Sequence, residues 1–217
     1  MKTTLISLII VLVISSTSFA QDDKPTTQKP NLKIKKETVN NWSLNLTFSD
    51  NGFGFGATKF TQLGRDASGF ASIEFSGAKD DREFEQYDIY GNSYTPDKVN
   101  RLFMSVMSIG AQFRLFREDV TDNLRPHINV GVAPSMILYT PYNQSFLSSF
   151  KWAQAKYTVG AFAGIGLDYV SNKHSSLNMD IRYYYINLFG QGVYSISTNE
   201  KKYFGGVYFV FSYNFMH

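Results

Sequence analysis

Apolar and polar residues alternate one for one through most of this chain, and that pattern restricts the fold more than any motif in it. Trp42, Leu44, Leu46 and Phe48 alternate with Ser43, Asn45, Thr47 and Ser49. Tyr157, Val159, Ala161, Ala163, Ile165, Leu167 and Tyr169 alternate with Thr158, Gly160, Phe162, Gly164, Gly166 and Asp168. The same beat runs from Leu177 to Tyr185 and from Gly205 to Phe215. A period of two puts successive side chains on opposite faces of a strand. The pattern predicts eight strands, over about 41–49, 53–62, 67–78, 101–116, 124–138, 155–170, 175–189 and 203–215. Short connections at 62–66, 117–123 and 171–174 take turns with longer ones at 79–100, 139–154 and 190–202. The first connection on the long side, Ser49–Gly52, is the exception and is short. With both termini on one side, this order predicts an all-β, eight-stranded antiparallel up-and-down barrel.

The ends of the chain read differently. Lys2 precedes an apolar run, Leu5–Ile14, and small residues Ser18 and Ala20 stand before the polar Gln21, Asp22 and Asp23. This is the layout of a secretory signal peptide over 1–20. The run is too short for the ~20 residues of a spanning helix. Residues 21–40 carry Pro25, Pro30 and five lysines, and predict a flexible N-terminal tail ahead of a barrel over 41–217.

Alternation alone does not say which face points outward. A soluble barrel hides its apolar face, and a transmembrane barrel shows it to lipid. The polar face decides. It carries Gly160, Gly164, Gly166, Ser72, Ser76, Asn129 and Asn178 rather than the lysines and glutamates that keep a face in water. Only 18% of the chain is charged, against roughly 25% in soluble domains. Tyr157 and Tyr169 bracket an apolar row whose rise, at ~3.3 Å per residue and a tilt near 45°, is roughly 28 Å. That is close to the ~25 Å apolar band with aromatic girdles of outer-membrane barrels.

Two local features go further. Arg125-Pro126-His127-Ile128-Asn129-Val130-Gly131-Val132 resembles the opening of a mid-barrel strand, with His127 where Tyr is usual. Phe211-Ser212-Tyr213-Asn214-Phe215 resembles the aromatic C-terminal strand read by the barrel assembly machinery, with Met216 and His217 following. With the signal peptide and the eight alternating segments, the chain resembles the eight-stranded outer-membrane β-barrel proteins of Gram-negative bacteria, the OmpA-like and OmpX-like group. The resemblance implies an outer-membrane location, periplasmic termini, contact with outer-membrane lipid and lipopolysaccharide, and passage through the assembly machinery.

An eight-stranded barrel has an interior that side chains fill. Folding the hairpins about their short turns sets Arg114 beside His127, Gln112 beside Asn129, and Asp168 beside Asn178, with Asp180 and Arg182 next along. Arg114, His127, Asp168, Asp180 and Arg182 are therefore the expected polar network of the lumen. The long loops are the other place for function. Tyr87, Tyr90 and Tyr94 in one loop, and Tyr142, Phe146, Phe150 and Trp152 in another, are contact candidates or girdle residues.

Several classes of chemistry find no residues. Without cysteine there is no disulfide, thiolate metal site, thiol nucleophile or lipidated N-terminal cysteine. The three histidines share no metal-ligand spacing, and the Gly-rich stretch at 52–57 lacks the helix of a nucleotide loop. A formal charge of +3 is too small to argue for nucleic acid. No cofactor and no catalytic set are expected. Three readings stand: a structural or loop-mediated interaction protein, an outer-membrane enzyme on lipid or lipopolysaccharide working through His127, and a secreted soluble barrel binding a small hydrophobic ligand.

Overall fold

In this computed structural model the described residues are 40–80, 82–116, 123–172 and 175–215. The expected signal peptide, the expected tail up to residue 39, Asp81, His174 and His217 lie outside them. Eight long strands form the wall: β1 (Asn40–Ser49), β2 (Gly52–Gln62), β3 (Ala67–Ala78), β6 (Asn100–Arg114), β7 (Leu124–Pro141), β8 (Gln154–Asn172), β9 (Ser175–Tyr185) and β12 (Gly206–Phe215). Each pairs antiparallel with the next wall strand in the chain, and β1 pairs with β12 to close the barrel. Two short hairpins decorate the loops, β4–β5 (Gln86–Tyr87, Ser93–Tyr94) and β10–β11 (Val193–Tyr194, Glu200–Lys201). A one-turn helix α1 (Phe146–Ser149) and a 3-10 turn (Phe150–Trp152) lie between β7 and β8.

The expected eight strands are all present, with different ends. β6 stops at Arg114 rather than 116, and Phe116 takes a left-handed backbone, φ 51, that no strand continues. β7 and β8 run further than 138 and 155 allowed, since Tyr139 still pairs with Gln154. β9 ends at Tyr185 and β12 begins at Gly206 because residues between them turn in over the barrel mouth. The β6–β7 ladder skips Met107 and Ser108 opposite Ala133 and Pro134, where proline has no N–H to give.

Every wall strand has one exposed apolar row and one buried row. Trp42, Leu44, Leu46 and Phe48 face out on β1, and Ser43, Asn45 and Thr47 are buried behind them. Tyr157, Val159, Ile165 and Tyr169 face out on β8. The apolar face is therefore the outer face, and the barrel's core is its lumen.

That lumen departs from the expectation of a small and polar filling. Its network of Asp, Glu, His and Arg side chains lies in the half near the short turns. Toward the long loops, Leu102, Met104, Val106, Ala133, Ile137, Phe162, Tyr184 and Val210 form an apolar core. The cause is the connection from β9 to β12, whose Ile186, Leu188, Val193 and Phe204 descend into the mouth and join the same cluster. Aliphatic wall residues give these side chains a dry place to pack.

Candidate functional site

The lumen is layered, and the layers follow from where each strand places its inward residues. Near the turn end, Asn41, Phe60, Ser68, Gln112, Arg125, Asp168, Val170, Ser176 and Asn214 line a cavity of about 120 Å³. It is polar and large enough for a few water molecules.

Above it sits the charged layer. Asp180 and Arg182, two apart on β9, share a face, and Arg182 Nη2 donates to Asp180 Oδ2 at 2.5 Å. His127 Nε2 lies 2.7 Å from Asp180 Oδ1, and Asn129 Nδ2 donates to the same oxygen at 3.3 Å. His127 Nδ1 is 3.6 Å from Asp168 Oδ2 and 3.2 Å from the Arg125 carbonyl. Gln112 Nε2 donates to Asp168 Oδ2 at 3.2 Å. Arg114 pairs with His127 across the β6–β7 ladder. All five sequence-predicted lumen residues thus lie on inward positions of adjacent strands, and four of them are within one connected group.

Glu74 completes the layer from the opposite wall and was not among the predicted residues. Its Oε1 is 3.9 Å from Arg182 Nη1, and its Oε2 accepts from Thr47 Oγ1 at 3.3 Å. The signal was present: a lone acid in the alternating run Ala67–Ala78, on the inward parity. The Arg182 guanidinium also lies over the rings of Phe70 and Phe162, at 5.3 and 5.9 Å. These contacts offset part of the cost of burying the charge, although Arg182 Nε and Nη1 have no hydrogen-bond partner among the described residues. Glycine makes the room. A Cβ on Gly166 would overlap Asp180 Oδ1 and His127 Nε2, and one on Gly164 would meet Asn129 Oδ1 at 2.7 Å.

An aromatic layer caps the charges. Phe70, Phe162, Tyr184 and Tyr208 follow one another at ring distances of 5.8, 5.1 and 4.7 Å. The Tyr184 hydroxyl is 3.0 Å from Ser108 Oγ. The apolar core and the loop plug lie above.

The loop rim is cross-tied. Lys98 Nζ pairs with Glu83 Oε2 at 2.7 Å, and Ser195 Oγ donates to Glu83 Oε1. Val99 N donates to the Ser195 carbonyl at 2.7 Å, and Asn199 Nδ2 to Asp80 Oδ2 at 2.7 Å. Burial raises the Glu83 carboxyl, but the hydrogen bonds from Lys98 and Ser195 outweigh it and hold the group below its ordinary range.

The predicted loop residues separate into two groups. Tyr87 and Tyr90 stand out in solvent on the β4–β5 hairpin, whose turn is held by Asp88 Oδ1 accepting from Tyr90 N and Asn92 N. Tyr94 donates to Gln86 Oε1 in the same hairpin. Trp152 is also exposed. Tyr142, by contrast, lies under Lys98 and Arg101, with its ring 5.4 and 4.6 Å from the two cations. Phe146 and Phe150 pack on Phe103 of the outer wall, at 6.2 and 5.7 Å. Among the described residues, no group of three or more His, Cys, Asp or Glu is placed to hold a metal ion.

Such a closed antiparallel barrel, filled inside and apolar outside, has the fold of the eight-stranded outer-membrane barrels. A major outer membrane protein from Thermus thermophilus matches it with TM-score 0.54 over 83% of this chain and 100% of that one, at 11% identity. Neisserial surface protein A matches with TM-score 0.50 over 82% and 94%, at 10% identity. The N-terminal barrel domain of Pseudomonas aeruginosa OprF matches with TM-score 0.49 over 83% and 98%, at 13% identity. At these identities the likeness is one of fold. No protein-family model and no curated protein matches the chain.

Proposed function

We propose that this chain is a small outer-membrane barrel whose filled lumen is structural and whose loop rim makes contacts. One observation carries the reading. The outer face is a continuous apolar belt, while Asp180, Arg182, His127 and Glu74 are buried at the axis. Such a molecule is stable only where something other than water covers the belt. Its surroundings in this reading are outer-membrane lipid and lipopolysaccharide. The short turns and termini face the periplasm, and the aromatic end of β12 serves assembly.

The enzyme reading has less to support it. His127 and Asp180 resemble part of a catalytic triad, but both ring nitrogens of His127 face oxygen acceptors: Asp180 on one side, Asp168 and the Arg125 carbonyl on the other. Neither nitrogen faces a hydroxyl whose proton it could take. The soluble-barrel reading requires an apolar interior open to a ligand, and here that interior is occupied by the barrel's own loop. Interaction is assigned to the β4–β5 tip, where Tyr87, Ile89 and Tyr90 are exposed on a braced hairpin.

The test is fractionation followed by electrophoresis with and without boiling. A band in the outer membrane that migrates differently after boiling is expected. A soluble product with one mobility would overturn the reading.

A further inference from the structure

The outer wall is not uniformly ridged. Near the loop end it carries a notch of about 420 Å³ lined chiefly by Phe53, Phe55, Phe75, Phe103, Leu138 and Phe150. This lies within the ~300–1,000 Å³ of small-molecule sites. Its floor exists because two outward positions are small. Gly77 pairs with Phe103, and Ser105 pairs with Phe75, so neither pair carries two bulky groups. A Cβ added at Gly77 would meet nothing within 4 Å.

Its roof exists because the β7–β8 loop doubles back. Phe146 and Phe150 meet edge to face at 5.4 Å, and both rest on Phe103. A loop aromatic has thus left the rim to cover part of the lipid-facing wall. Three basic residues lie just beyond the apolar lining of the notch. Lys79, exposed just past β3, continues the outward row above Gly77. Arg101 begins the outward row of β6 above Phe103, held by its Nη1 on the Pro141 and Gln144 carbonyls. Lys151 is exposed on the roof beside Phe150.

We propose that this notch seats one acyl chain of lipopolysaccharide, with a lipid phosphate against Lys79 and Arg101. The proposal rests on the outer-membrane reading above. It follows from three features together: an apolar slot, cations next along the outward rows of β3 and β6, and a place at the loop end of the outer face. In that reading this end meets the outer leaflet, whose lipid is both acylated and phosphorylated. A roofed slot orders a chain that would otherwise stay fluid, and the cations fix its head by charge-assisted contact.

Full-length protein extracted from outer membranes in mild detergent, then weighed by native mass spectrometry, tests this. The intact barrel is expected to retain one lipopolysaccharide. Filling the notch with Gly77→Leu and Ser105→Leu should lower the retained fraction about tenfold, equivalent to ~1.4 kcal/mol of binding. Lys79→Gln should lower it in the same direction without touching the slot. Ala71→Leu, on the same outward row but nearer the turns, should leave it unchanged. Three results would overturn the proposal: equal retention in the filled variant, a glycerophospholipid held instead, or a dimer of this chain that filling abolishes. In each of those cases the heat-dependent mobility shift would persist. Loss of that shift in the unmodified protein would instead overturn the outer-membrane reading beneath.

Discussion

Asp180 is the residue on which the lumen's charges converge. It binds Arg182, His127 and Asn129, and its side chain is fully withdrawn from solvent. Removing it leaves a buried guanidinium and an imidazole without their main acceptor. Breaking such a pair costs about 3–5 kcal/mol, more than the pair itself contributes. Asp180→Ala is therefore expected to lower the unfolding midpoint in detergent strongly, measured by the gel shift against urea. Adding Arg182→Met should return much of the loss, because the stranded charge is gone. An unchanged midpoint in the single variant would mean that the network adds nothing to stability. Four members of this layer were legible in the sequence because parity and the short turns alone determine which inward residues face each other across a hairpin. Glu74 belongs to β3, outside those two hairpins, and its approach to Arg182 crosses the lumen. No local pattern encodes a distance across a barrel.

At the scale of elements, the loops divide into those that hold the barrel and those that hang from it. The β4–β5 hairpin is braced by Asp88 and by Tyr94 on Gln86, all within itself. Deleting residues 84–94 is expected to leave the heat-dependent mobility intact. Collapse of folding would show that the hairpin is part of the architecture. The connection 186–205 is the opposite case, since its apolar side chains complete the core. The clasp between Glu83, Lys98 and Ser195 joins these two loops. Its carboxyl titrates below the ordinary value of 4.5, so its contribution is present above that value and lost as pH falls below the folded one. Protection factors for hydrogen exchange at Val99 and Asn100, whose amides bond the Ser195 carbonyl, should be high near neutral pH and fall once the pH drops below the ordinary carboxylate range. Lys98→Met should lower those protection factors already at neutral pH. Equal protection in that variant would show that the clasp does not hold the rim. Here the sequence was least informative. The 190–202 stretch has no alternation to assign its faces, and plugging a mouth is a property of the closed wall around it.

For the whole molecule, closure of β1 on β12 leaves no free edge, so the backbone of the wall is paired from within. That lets an apolar outer surface face lipid without a row of unsatisfied peptides behind it. Two facts were determined by the sequence alone: the strand count, and which row of each strand faces out. Period-two alternation is a local property, and a row of glycine, serine and asparagine lacks the charges usual on a soluble outer face but fits a narrow axis. Three things were decided only by the tertiary structure: the apolar upper lumen with its loop plug, the meeting of Glu74 with Arg182, and the roofed notch outside. Each brings together residues far apart in the chain, as Phe53 and Phe150 meet around one slot. Such meetings depend on the curvature and register of the closed wall, and neither is written in any single strand.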